Sequence, residues 1–144
     1  MYAAGYVTIP CGAIQGHGEL LHWDGMSWSV VPPPDAAAGR GDWTTVTGTG
    51  PRDVWALGYT IRQWDGISWT RHDPPGGFIA RRMWAANPDD AWAVGAGGGV
   101  IHWDGTRFTA SATDSNVAFT SVFGTWRDDV WAVGDGGTIM RFVR

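Results

Sequence analysis

Short apolar runs alternate with turns rich in Gly, Asp and Pro along the whole chain. The clearest runs are Val54-Trp55-Ala56-Leu57, Ala91-Trp92-Ala93-Val94 and Val130-Trp131-Ala132-Val133. Because consecutive positions are apolar, both faces of each run are expected to be buried, as in a strand held between two neighbouring sheets. A polar turn precedes each run: Pro51 to Asp53, Pro88 to Asp90 and Arg127 to Asp129. Before each turn lies a shorter apolar stretch, Val46-Thr47-Gly48, Met83-Trp84-Ala85 or Val122-Phe123-Gly124, matched in the first repeat by Ala3-Ala4-Gly5. Glycines at Gly95 to Gly99 and Gly134 to Gly137 then lead into a third strand such as Val100 to Trp103. The pairs Asp24-Gly25, Asp65-Gly66 and Asp104-Gly105 predict two-residue hairpins, since both residue types tolerate positive φ. A fourth strand follows at Ser27 to Val31, Ser68 to Arg71 and Arg107 to Ala110.

The pattern recurs. Trp92 and Trp131 are 39 residues apart, as are Asp65 and Asp104, a period of blade-type β repeats rather than helical solenoids. The expected fold is all-β: a β-propeller of about four four-stranded antiparallel blades of ~40 residues, the last lacking its outer strand. The repeats are residues 2–43, 44–80, 81–120 and 121–144, a single propeller domain or half-propeller, with Gly12 standing in the degenerate first repeat where the others have Trp. Pro32 to Asp42, Asp73 to Gly77 and Ser111 to Val117 read as links between blades. Four blades is the low end of the architecture, and an unclosed set exposes strand edges. A homo-oligomer, two copies completing one ring, or an excerpt of a longer propeller is therefore preferred to a four-bladed ring.

Composition sharpens this picture. The 11 Trp and 22 Gly among 144 residues suit flat side chains filling the space between sheets and tight turns joining strands. All ten basic residues are Arg, and 14 acidic residues leave a net charge of -4, so no field draws nucleic acid or anionic lipid. Cys11 is the sole cysteine, which excludes an intrachain disulfide and a multi-cysteine metal site. No run reaches the length of a membrane span, and the N-terminus lacks the basic and apolar regions of a secretory signal. The compartment is not legible, and no cofactor is implied.

At Val130 to Arg141 the chain resembles the bacterial propeller repeats related to the Ycf48 photosystem-assembly and BNR (sialidase-like) families. Asp89 to Gly105 is similar in wording to repeat proteins of GC-rich bacteria, and Trp64 to Trp69 to that of fucose-binding lectins. The resemblance implies a propeller that contacts proteins or glycans. Two departures argue against sialidase chemistry. Asp65 and Gly66 are adjacent where the sialidase Asp box spaces them, and the arginine triad and nucleophile pair have no counterpart.

Candidate ligand-binding residues are those a repeat position leaves polar or those off the pattern. His22, Gln63, His102 and Arg141 share one position before the third-strand aromatic, facing either a groove between blades or solvent. His22 and His102, on different blades, are too far apart to share a metal, and no metal site is expected. Trp84 and Trp126 are off-pattern aromatics, and Asp135 sits in a second-to-third-strand loop. Trp55, Trp92 and Trp131 are read as inter-blade core. The recurring aspartates are read as turn-formers, because a catalytic pair has no reason to repeat in every blade. The sequence thus points to a non-catalytic binding module, with glycan or protein ligands on the loops of one face. A fragment that self-assembles into a larger ring, or a glycoside hydrolase or lyase using Glu19 with Asp135, are the alternatives.

Overall fold

A computed structural model of the chain describes residues 1–7, 17–31, 43–58 and 60–143. These form four antiparallel sheets whose strands lie side by side in chain order. The first sheet holds β1 (Tyr2–Val7), β2 (His17–Trp23) and β3 (Trp28–Val31). The second holds β4 (Thr45–Gly50), β5 (Asp53–Leu57), β6 (Ile61–Trp64) and β7 (Trp69–His72). The third holds β8 (Ala80–Asn87), β9 (Asp90–Gly95), β10 (Val100–Trp103) and β11 (Phe108–Ser111). The fourth holds β12 (Phe119–Trp126), β13 (Asp129–Gly134) and β14 (Ile139–Phe142). Strands β4, β8 and β12 contact one another in that order and are the inner strands of successive propeller blades. As expected, the fourth sheet has no outer strand among the described residues.

The register corrects the first repeat. Tyr2 pairs with His22 as Trp55 pairs with Gln63, Trp92 with His102 and Trp131 with Arg141. Tyr2-Ala3-Ala4-Gly5 therefore takes the place of Trp55 to Gly58, and is not the inner strand. The first sheet has three strands, and the one missing among the described residues is the inner one. The misreading has a physical cause: Tyr replaces Trp in its role, and small Ala-Ala-Gly residues suit either strand. Gly12, Cys11, Gly16 and the link Pro32 to Asp42 lie outside the described residues.

The Asp-Gly hairpins are also shifted by one residue. Only the glycines take positive φ, at 111° for Gly25, 98° for Gly66 and 91° for Gly105. Each Asp flanks the tip, its N–H donating to the carbonyl of the residue three ahead, as Asp24 does to Ser27 at 3.2 Å. Its Oδ1 accepts the N–H groups of the two residues closing the turn, 2.7 Å from Met26 and 2.8 Å from Ser27. Asp65 and Asp104 repeat the arrangement.

Alternation along each strand gives the sheets two unlike faces, one bearing the large aromatic of the second strand and one, the small-residue face, bearing small side chains of that strand such as Ala91 and Ala93 beside aromatics of the outer strands such as Trp103 and Phe108. Trp55, Leu57 and Ile61 pack on Met83, Ala85, Ala93 and Ile101 of the third sheet. Trp92, Val94 and Val100 pack on Val122, Val130 and Ala132 of the fourth. Tyr2 and Leu20 pack on Val46, Ala56 and Trp69 of the second. The rule is directional: an aromatic face always lies on the small-residue face of the next sheet. Alanine at the facing position leaves room for an indole, and burying such a side chain stabilises by about 1.5–3 kcal/mol. Trp55 is fully buried, whereas Trp131, which no other sheet of the described residues covers, is 41% exposed.

Candidate functional site

Meander topology sorts the loops between two ends. One end gathers the links from second to third strand and from sheet to sheet, and these touch. Thr113 Oγ1 donates to Gly98 O at 2.7 Å, and Asp135 N–H to Ala118 O at 3.1 Å. The Phe78 ring covers Gly95 and Gly99. Short 3₁₀ turns at Pro75–Gly77, Ala96–Gly98 and Asp135–Gly137 shape this end.

A groove of about 440 Å³ opens there, lined by Thr44, Gly58, Ile79, Ala80, Arg81, Arg82 and Thr120. Its walls are the starts of the inner strands of three successive sheets, so it sits at the mouth of the space those strands surround. Arg81 and Arg82 are both exposed, and Arg82 Nη1 donates to Arg81 O at 2.8 Å. Two guanidinium groups beside the exposed Ile79 present donors and an apolar step, a combination suited to a carboxylate with an adjoining apolar side chain, while the Thr44 and Thr120 hydroxyls already donate to Leu57 O and Val133 O, each at 3.3 Å. Sequence reasoning missed Arg81 and Arg82, because adjacent arginines at a repeat boundary carry no motif.

The opposite end carries the shared third-strand position. His102 Nε2 lies 2.8 Å from Asp90 Oδ1, Gln63 Nε2 donates to Pro88 O at 2.9 Å and lies 3.5 Å from Asp53 Oδ1, and Arg141 Nε donates to Asp129 Oδ1 at 2.7 Å. The repeated aspartate at the start of each second strand thus receives the repeated polar side chain of the third. Asp53 and Asp90 are buried, and so is His102; these are internal ties as well as turn residues. His22 stacks on Tyr2 with ring centroids 4.6 Å apart, beside a second groove of about 380 Å³ that runs along β4 and includes Met1 and Tyr2.

The remaining candidates are scattered. Trp84 pairs with Trp92 and packs on Gly124, where a Cβ would lie 2.5 Å from the indole. Trp84 shares its register position with Phe123, and their rings are 6.3 Å apart. Trp126 ends β12 and is 75% exposed, while Asp135 is exposed at the other end of the same sheet. The predicted residues therefore do not converge on one pocket. Among the described residues no group of three or more metal-ligating side chains is found, and no helix is long and apolar enough to cross a membrane.

Titration follows these contacts. The turn aspartates Asp24 and Asp65 are held below the usual carboxylate range by backbone N–H donors, first those of Ser27 and Ser68. Asp104 is lowered furthest, chiefly by the Thr106 hydroxyl and then the Arg107 N–H. Asp129 is lowered by the Thr125 hydroxyl and then Arg141. Burial pushes the His72 imidazole down against a weaker pull from Asp73, and raises the Tyr2 phenol.

No family model matches the chain, and no curated protein does. Solved structures do. Ycf48 bound to D1 peptide aligns with a TM-score of 0.67 and 16% identity over 88% of this chain and 44% of that one. Ycf48 from Cyanidioschyzon merolae aligns with a TM-score of 0.69 and 12% identity over 87% of this chain and 44% of that one. The chain spans less than half the length of either, and what it shares with them is the β-propeller fold.

Proposed function

We propose that this chain is a non-catalytic protein-binding module that takes an extended acidic peptide segment at the Arg81 and Arg82 groove. The observation that carries the reading is that groove: two exposed arginines and Ile79 at the mouth shared by three inner strands. A similar fold solved with a bound peptide supports a peptide over other ligand classes. Loops held by rigid sheets are where propellers present such contacts. A glycan reading draws less support, because Trp55, Trp92 and Trp103 are buried between sheets and none of the exposed indoles, Trp28, Trp126 and Trp131, lines the groove.

Titration of a fluorescent Asp-rich peptide against the whole chain tests this. Its affinity should fall about tenfold or more, ~1.4 kcal/mol, in an Arg81→Ala/Arg82→Ala variant and when Asn replaces Asp in the peptide. Equal binding by the parent and the variant, or saturable binding of a monosaccharide in place of the peptide, would overturn it.

A further inference from the structure

We propose that two copies of this chain join head to tail, the aromatic face of each fourth sheet lying on the small-residue face of the other copy's first sheet. This goes beyond the peptide reading and does not depend on it.

The two faces in question are the ones the internal packing leaves over. Within the chain, an aromatic face docks on the small-residue face of the next sheet three times in the same direction. The fourth sheet repeats the donor face. Trp131 and Val133 stand where Trp92 and Val94 stand, Ile139 where Val100 stands and Phe123 where Trp84 stands. The first sheet repeats the acceptor face, with Leu21, Trp23, Trp28 and Val30 at the positions of Ile101, Trp103, Phe108 and Ala110. The Trp23 and Trp28 rings lie 5.5 Å apart, as the Trp103 and Phe108 rings do at 5.1 Å.

Both faces are open. Phe123, Trp131, Val133 and Ile139 are exposed on one, although Val94 and Val100, the counterparts of Val133 and Ile139, are almost wholly buried, and Trp28 is 47% exposed on the other, where its counterpart Phe108 is buried. The fourth sheet therefore does not close on the first within one chain. A contiguous apolar face of this kind marks an interaction surface. A second copy is the occupant the chain specifies, because each copy supplies one donor and one acceptor face of matching pattern.

Such a contact is heterologous, so it yields either a closed ring or an open filament. Four sheets per copy make eight in a pair, which is within the range of propeller rings, and a third copy would exceed it. The pair then has two identical junctions related by a two-fold axis.

Light scattering behind size exclusion on the full chain should give twice the mass of one copy. Trp131→Asp and Trp28→Asp should each give a folded monomer, checked by circular dichroism and thermal melting. Ile139→Lys, at a more exposed site of the same face, provides the same test should Trp131→Asp fail to fold. An equimolar mixture of Ile139→Lys and Trp28→Asp should recover a weaker 1:1 pair, because one of its two junctions joins unaltered faces. A monomeric parent overturns the proposal and leaves the faces to blades elsewhere in a longer polypeptide. A dimer that survives Trp28→Asp but not Ile139→Lys means that fourth sheets pair with each other, and mass that grows with concentration means a filament; either overturns the ring.

Discussion

His102 Nε2 and Asp90 Oδ1 lie 2.8 Å apart with both side chains buried, tying the third strand of the third sheet to the turn before its second. Removing one member of a buried pair leaves the other desolvated without that partner, which costs roughly 3–5 kcal/mol, whereas the intact pair contributes far less than that relative to an apolar replacement. Asp90 keeps a second cation, with Arg127 Nε 4.0 Å from its Oδ2, so His102→Ala is expected to lower the free energy of unfolding in urea by less than that, about 1–3 kcal/mol. Arg141→Ala, which removes the same tie in the fourth sheet where the arginine is half-exposed, should cost clearly less. Equal losses at the two sites would show that burial does not set the strength of the tie.

Gly98 and Gly137 occupy the same place in two sheets, with φ of 73° and 77°. They differ in what surrounds them: a Cβ on Gly98 would lie 1.6 Å from Ser115 O, while one on Gly137 meets nothing within 4 Å. Both Ala substitutions carry the left-handed strain of about 1–2 kcal/mol. Only Gly98→Ala also forces the 3₁₀ turn and the Ser115 segment apart, adding about 1–3 kcal/mol. The difference between the two variants, read from urea melts, measures how tightly the loops at the peptide-groove end are held together. No difference would mean that the Ser115 segment gives way freely.

The architecture was legible because a 39-residue period and consecutive apolar runs leave one economical packing, strands buried on both faces. The identity of β1 was not. Tyr2 fills the Trp position, and only its register with His22 reveals that the first sheet begins at its second strand. The third-strand polar position is legible by counting, but its use is hidden, since a carboxylate ten or twelve residues earlier becomes its partner only after the strands pair. Arg81 and Arg82 were invisible as a pair because the groove exists only where three repeats meet.

The Asp-Gly hairpins should weaken in acid. In the folded chain, hydrogen-bond donors hold Asp24, Asp65 and Asp104 below the ordinary carboxylate value of 3.8. A depressed pKa contributes stability that is complete above the unfolded value and is lost as pH falls through the folded one. Asp104→Ala is expected to be less stable than the parent at pH 7. That deficit should narrow as pH falls below about 4, where Asp104 of the unfolded parent takes up a proton while the folded carboxylate is still charged. A deficit that stays constant down to pH 2 in thermal melts would place the loss in turn geometry rather than in the charged acceptor.

His72 gives a separate window at milder pH. Its ring lies 4.3 Å from the Trp103 ring, 5.4 Å from that of Trp55 and 6.1 Å from that of Phe108, in the seam between the second and third sheets. Burial there disfavours the imidazolium and lowers the pKa from 6.5. The unfolded chain then takes up the proton first. Stability from this group is complete above the unfolded pKa and falls as pH drops from about 6.5 through the folded value. His72→Phe keeps a flat ring in the seam and removes the titration. Melting temperatures measured between pH 7.5 and 5 should show the parent losing stability relative to His72→Phe as pH falls. Parallel curves would mean that the seam admits the charged ring, with Asp73 and the Gln63 amide oxygen, 3.3 Å from His72 Nε2, accommodating it.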